Sequence, residues 1–191
     1  PTRQLMLWSG PPSDEKNDKQ MVDQLSHFVG HRIICGGTTA QIFARELHKS
    51  LEVDLQNLNP ELPPIAKMEG IDLVTEGILT LGKTAEILKS KENNQVSAKN
   101  PALKLSKIIL DHDKITFLIG TRINESHQDP KLPVELEIRR NVIKNILINL
   151  LSNASKYSKE KDEITLNLSK AASVISIESV SFSSHERAVK A

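Results

Sequence analysis

Arg32-Ile33-Ile34-Cys35-Gly36-Gly37-Thr38-Thr39-Ala40-Gln41-Ile42 is the stretch that decides the fold. A short β-branched run stops at two glycines, two hydroxyl residues follow, and a helical pattern of Ala40, Ile42, Phe43 and Leu47 begins. That order reads as strand, tight turn and helix, with Thr38 or Thr39 as the N-cap. Glycines let a backbone approach a ligand closely, and the unbonded amides at a helix start favour an anion. The motif is neither a P-loop, which needs a lysine after its second glycine, nor the three-glycine dinucleotide fingerprint.

Outward from this stretch, strand-like runs alternate with helical ones, the pattern of a parallel sheet with crossover helices. Strands are expected over residues 5–9, 32–35, 51–55, 71–75 and 115–119, with further alternating runs at 163–168 and 174–180. Helices are expected over 18–29, 39–49, 78–90, 101–110 and 134–157. Residues 59–64 carry three prolines and read as a stiff loop, and 91–99 read as a polar surface excursion. The expectation is a three-layer α/β domain with a mainly parallel sheet and crossover helices. Residues 1–147 form the ligand-binding domain, and 148–191 form a C-terminal extension adding strands to it.

Composition narrows the function. Hydrophobic residues make up 38% and aromatic ones 3%, so the core is aliphatic. The net charge of +1, from 25 basic and 24 acidic residues, offers no polyanion-binding surface, so no nucleic-acid partner is expected. No apolar stretch approaches the ~18 residues of a membrane span. The start, Pro1-Thr2-Arg3-Gln4, has neither initiator Met nor signal-peptide core and reads as a cut inside a longer protein. Cys35 is the single cysteine, which excludes an internal disulfide and a cysteine-based zinc site. It reads as a buried structural thiol in a reducing, cytoplasmic setting.

Strand ends carry small or polar residues at Ser9-Gly10-Pro11-Pro12-Ser13-Asp14, Gly36-Gly37-Thr38-Thr39, Thr75-Glu76-Gly77 and Gly120-Thr121-Arg122-Ile123-Asn124. In an open parallel sheet such ends share one edge, where ligands collect. The expected binding residues for a small anionic ligand are Gly10, Gly36, Gly37, Thr38, Thr39, Glu76, Gly120, Asn124, His127 and Gln128. The loop 121–130 is expected to fold over the Gly36-Gly37 edge. Glu76 has three possible roles: metal ligand, partner of a ligand hydroxyl, or cap of the helix beginning at Ile78. His127 reads either as a general acid or base or as a solvated loop histidine. Asp111-His112-Asp113 reads as a polar turn rather than a metal site. No catalytic residue and no metal ligand is assigned, and no cofactor is identified.

The run Asn145 to Ser158 resembles the N-box helix of histidine-kinase ATPase domains. That resemblance implies magnesium binding by Asn153 and phosphate binding by Lys156. The later stretch Glu178-Ser179-Val180-Ser181-Phe182-Ser183-Ser184 lacks the Asp-x-Gly-x-Gly segment that would contact adenine, so an ATP-binding domain here is a degenerate one.

A longer resemblance covers about residues 5–145. It is carried by Ser9-Gly10-Pro11-Pro12 with Asp18, Cys35-Gly36-Gly37-Thr38-Thr39-Ala40, Pro63-Pro64-Ile65-Ala66, and Glu69-Gly70-Ile71-Asp72-Leu73-Val74-Thr75-Glu76-Gly77. Gly120-Thr121, Asn124, His127-Gln128, Pro130, Leu132-Pro133 and Ile138-Arg139-Arg140 complete it. These segments are similar to the region downstream of the phosphatase core in bacterial serine phosphatases of the stage II sporulation protein E type. The resemblance implies a non-catalytic accessory or sensory domain that regulates an attached phosphatase domain. Thr75-Glu76-Gly77 and Asp111 to Thr116 also look like the Thr-Asp-Gly and Asp-Asp-x-Thr elements of a metal-dependent phosphatase core, which stands as the alternative, with Glu in place of the metal-binding Asp.

Overall fold

The computed structural model describes residues 2–55, 58–60, 62–89, 100–122, 132–157, 167–171 and 174–178. The polar excursion at 91–99 and the stretch Ser179 to Ser184 lie outside them. So do Asn124, His127 and Gln128 in the loop expected over the Gly36-Gly37 edge.

Four strands run parallel at the centre of the sheet: β1 (Gln4–Ser9), β2 (His31–Cys35), β5 (Ile71–Thr75) and β6 (Lys114–Gly120). They stand in the order β5-β2-β1-β6. Beyond β5 lie the short antiparallel strands β4 (Ala66–Met68) and β3 (Glu52–Val53). Beyond β6 lie the antiparallel pair β8 (Val174–Glu178) and β7 (Asn167–Ala171). β4 lies just past the 59–64 loop, where the sequence reading assigns no element, and β7 is shifted toward the C-terminus from the expected run 163–168. The three residues of β4 follow Pro63 and Pro64, and pairing with β5 rather than any pattern of its own makes it a strand.

Successive residues of a strand face opposite sides, and the apolar runs of the parallel strands are buried on both. Leu5, Leu7, Ile33, Cys35, Leu73, Ile115, Phe117 and Ile119 face α3 (Ile78–Lys89), α4 (Pro101–Leu110) and α5 (Leu132–Tyr157). Met6, Trp8, Ile34, Val74 and Leu118 face α1 (Asp18–Ser26) and α2 (Gly37–Leu47). The result is the expected three-layer α/β arrangement. Local chemistry sets the helix starts. The Asn100 side chain accepts from the amides of Ala102 and Leu103 at 2.9 and 3.2 Å, with Pro101 in the first turn of α4.

The ends of β1 and β6 meet backbone to backbone. A Cβ on Gly120 would fall against the carbonyl oxygens of Gly10 and Pro11. The Arg122 amide donates to the Pro11 carbonyl at 3.1 Å, and the indole N–H of fully buried Trp8 donates to the Gly10 carbonyl at 2.8 Å. Gly10 takes a φ of 83°, in the left-handed region.

This junction predicts a contrast between glycines. Gly120→Ala forces two backbone segments apart and should destabilise by about 3 kcal/mol, the upper end of overpacking costs. Gly37→Ala meets nothing within 4 Å and should be neutral or slightly stabilising. Urea denaturation followed by circular dichroism separates the two.

Candidate functional site

The register places Ser9 opposite Cys35, Cys35 opposite Thr75, and Ser9 opposite Ile119, so the four parallel strands end level with one another. Their C-terminal edge therefore carries Glu76-Gly77, Gly36-Gly37, Gly10 and Gly120 in that spatial order. The residues on this edge differ in what they offer a ligand.

Gly10 and Gly120 are buried against each other and present no backbone to solvent. Arg139 of α5 also packs on Gly10 from above. The switch point between β1 and β6, where sheets of this topology ordinarily bind ligands, is filled by the protein's own backbone and this guanidinium. Arg122 further ties the loop down through a 2.7 Å ion pair with Glu15, and that hydrogen bond holds the Glu15 carboxyl below the usual carboxylate range.

At Gly36-Gly37 the arrangement is open. Gly36, not Thr38 or Thr39, is the N-cap of α2, with φ 133° and ψ 129°, a conformation strained for any residue with a side chain. Its own amide donates to the Thr75 carbonyl at 2.9 Å, and its carbonyl accepts from the Ala40 amide at 2.9 Å. The helix thus begins two residues earlier than the threonines suggest, because glycine alone makes the turn and the hydroxyls are not needed as caps. Gly37 lies inside the helix, so its backbone geometry does not demand glycine.

Three consequences follow for the first turn of α2. The amides of Gly37, Thr38 and Thr39 have no acceptor among the described residues. Gly37 and Thr38 are exposed. Thr39 is 1% exposed, and its hydroxyl, which sits 3.2 Å from where a Cβ on Gly36 would lie, has no hydrogen-bond partner among the described residues. A buried hydroxyl without a partner carries a desolvation cost of about 1–3 kcal/mol.

The neighbouring helix is different. Gly77 approaches Gly36 closely, its Cβ position lying 3.5 Å from the Gly36 Cα, so α3 starts beside α2. There Glu76 accepts from the Leu79 amide at 3.2 Å. Of the roles open to Glu76 in the sequence, the contact formed is the capping one. The α3 N-terminus has its own anion, whereas α2 has none among the described residues.

Cys35, beneath this turn, is fully buried, and burial pushes its thiol up from 9.0 to about 12, against an opposing hydrogen bond with Thr75. It is a packing residue, as the sequence suggests.

The Asp111–Asp113 turn stands at the other end of the molecule. Asp113 precedes β6, and its carboxylate accepts from the Arg3 amide, Nε and Nη2 at 2.9, 3.2 and 2.8 Å. Glu76 follows the end of β5, so the two carboxylates that a phosphatase core would bring to one metal lie at opposite edges of the sheet, roughly 20 Å apart for a seven-residue strand. No group of three or more His, Cys, Asp and Glu side chains suited to a metal ion occurs among the described residues. A cavity of about 430 Å³, lined by Ser50, Lys67, Asp72 and Lys104 among others, surrounds β4 and the start of β5, away from the strand C-terminal edge.

Among the described residues, no helix is long and apolar enough to cross a membrane. Comparison of the chain with protein-family models, curated proteins and solved structures finds no match. The fold and the edge geometry therefore define the class: an α/β domain of parallel strands with an open helix N-terminus at the strand C-terminal edge.

Two expectations test this description. Thr39→Val removes the unpartnered hydroxyl at constant shape and should raise stability by about 1 kcal/mol, read from the urea midpoint. Cys35 should resist a disulfide reagent at pH 8 in native buffer and react stoichiometrically in urea. Because its folded pKa is raised, its contribution to stability is complete below about pH 9 and is lost as pH rises toward 12.

Proposed function

We propose that this chain binds a small anionic ligand at the N-terminus of α2 and acts as a regulatory domain attached to a serine phosphatase of the stage II sporulation protein E type. The observation that carries the ligand is the first turn of α2. Among the described residues, the adjacent amides of Gly37, Thr38 and Thr39 lack acceptors, a Cβ on Gly37 would meet nothing within 4 Å, and the buried Thr39 hydroxyl beside them lacks a partner. The partial positive charge of a helix N-terminus and converging N–H groups favour a phosphate, sulfate or carboxylate there. The phosphatase connection rests on the sequence resemblance alone.

The separation of Glu76 from Asp113 argues against a metal-dependent phosphatase core within this chain. Glu76 is engaged at the α3 N-terminus and Asp113 with Arg3, so neither carboxylate stands ready for a shared ion.

The test is calorimetric titration with inorganic phosphate. Wild type should bind it saturably. Gly37→Val fills the space above the turn without disturbing the fold and should abolish binding. Thr39→Val should weaken binding by roughly tenfold or more, as expected for loss of one hydrogen bond to a charged group, while raising stability. Undiminished binding in both variants overturns the assignment. Turnover of p-nitrophenyl phosphate with manganese that disappears in Glu76→Gln and Asp113→Asn would restore the catalytic reading.

A further inference from the structure

At the opposite edge of the sheet, His31 opens β2 and His112 lies in the turn between α4 and β6. Their rings meet nearly perpendicular, at 83° with centroids 4.6 Å apart. His112 Nδ1 is 2.6 Å from the carbonyl oxygen of Ile108, and His112 Nε2 is 2.7 Å from His31 Nδ1. A carbonyl only accepts, so His112 Nδ1 carries the proton and Nε2 presents its lone pair to His31. Anchoring of one ring N–H on a backbone carbonyl, which fixes the tautomer so that the other nitrogen carries the lone pair, is the arrangement that orients metal-binding histidines, and here that nitrogen faces His31.

We propose that His31 and His112 form a binding site for a late first-row divalent cation, with Cu²⁺ preferred over Ni²⁺ and Zn²⁺. In the metal-free protein, the His31 Nδ1–H donates to His112 Nε2. On binding, the neutral His31 ring moves its proton from Nδ1 to Nε2, and both facing nitrogens donate lone pairs to the ion. No net proton is released. Metal–nitrogen bonds of about 2.0 Å at the right angle of a tetragonal Cu²⁺ site need the two nitrogens about 2.8–2.9 Å apart, slightly wider than their present 2.7 Å. His31, exposed at the first position of its strand, supplies that movement, while His112, 4% exposed and tethered to Ile108, stays fixed.

The charged surroundings permit a cation. Arg3 is engaged by Asp113, and Asp111 lies close enough to add its own attraction to Arg3. No third side-chain ligand completes the site among the described residues, so water fills the other positions. Imidazole donors favour these ions over Mg²⁺ and Ca²⁺, and the order among them follows from intrinsic affinity.

The site stands a strand's length from the α2 N-terminus and is independent of the anion reading. Chelator-treated protein is titrated calorimetrically with CuCl₂, NiCl₂, ZnCl₂ and MgCl₂. The expected result is one ion per chain, tightest for Cu²⁺, with no heat from Mg²⁺. His31→Ala, a change at an exposed position, should weaken binding at least tenfold and abolish the metal-induced rise in melting temperature. His27→Ala, whose ring bonds only near the end of α1, should leave both unchanged. Absence of binding in wild type, full affinity in His31→Ala, or equal loss in His27→Ala overturns the proposal.

Discussion

The rest of the structure depends on the close approach of the Gly10–Pro11 backbone to Gly120. Parallel strands joined by long crossovers have no local turn to fix how their ends align, so the alignment of β1 with β6 must come from elsewhere. Here it comes from a contact that a single Cβ would prevent, closed by the Arg122 amide on one side and the Trp8 indole on the other. With β1 and β6 pinned, β2 and β5 follow in register, and the four C-terminal ends form one level edge.

That closure has a consequence for where a ligand fits. The usual crevice of such a sheet is spent on the junction itself, and the open position moves outward to the end of β2. There the energetics are reversed. Instead of satisfied backbone packed on backbone, the first turn of α2 has amides and one buried hydroxyl without partners among the described residues. Buried polar groups in folded proteins are nearly always bonded. The Thr39 hydroxyl is such an exception among the described residues, and the proposed anion site would supply its partner.

Much of the architecture was legible because each parallel strand is an apolar run bounded by glycine or polar residues. The long helices were legible because Met21, Val22 and Leu25 in α1, or Leu105 and Ile109 in α4, recur at helical spacing. Three features were not. β4 has no pattern of its own. The start of α2 was placed at the threonines because hydroxyls ordinarily cap helices, whereas Gly36 makes the turn through a φ that only the backbone reveals. The contacts of Gly10 with Gly120 and of His31 with His112 join residues 110 and 81 positions apart, which no local pattern encodes. The glycines of the edge do lie along one end of the sheet, but their separate roles, packing at Gly10 and Gly120 and turn-making at Gly36, appear only in three dimensions.

The measurement that bears most directly on the central claim is a titration of the ¹⁵N-labelled chain with inorganic phosphate, followed amide by amide. The account predicts saturable shifts of Gly37, Thr38 and Thr39 together. The Leu79 amide, already bonded to Glu76, and the Gly36 amide, already bonded to Thr75, should move far less. Shifts confined to the cavity around Lys67 and Lys104, or none in the first turn of α2 at saturating phosphate, would contradict it.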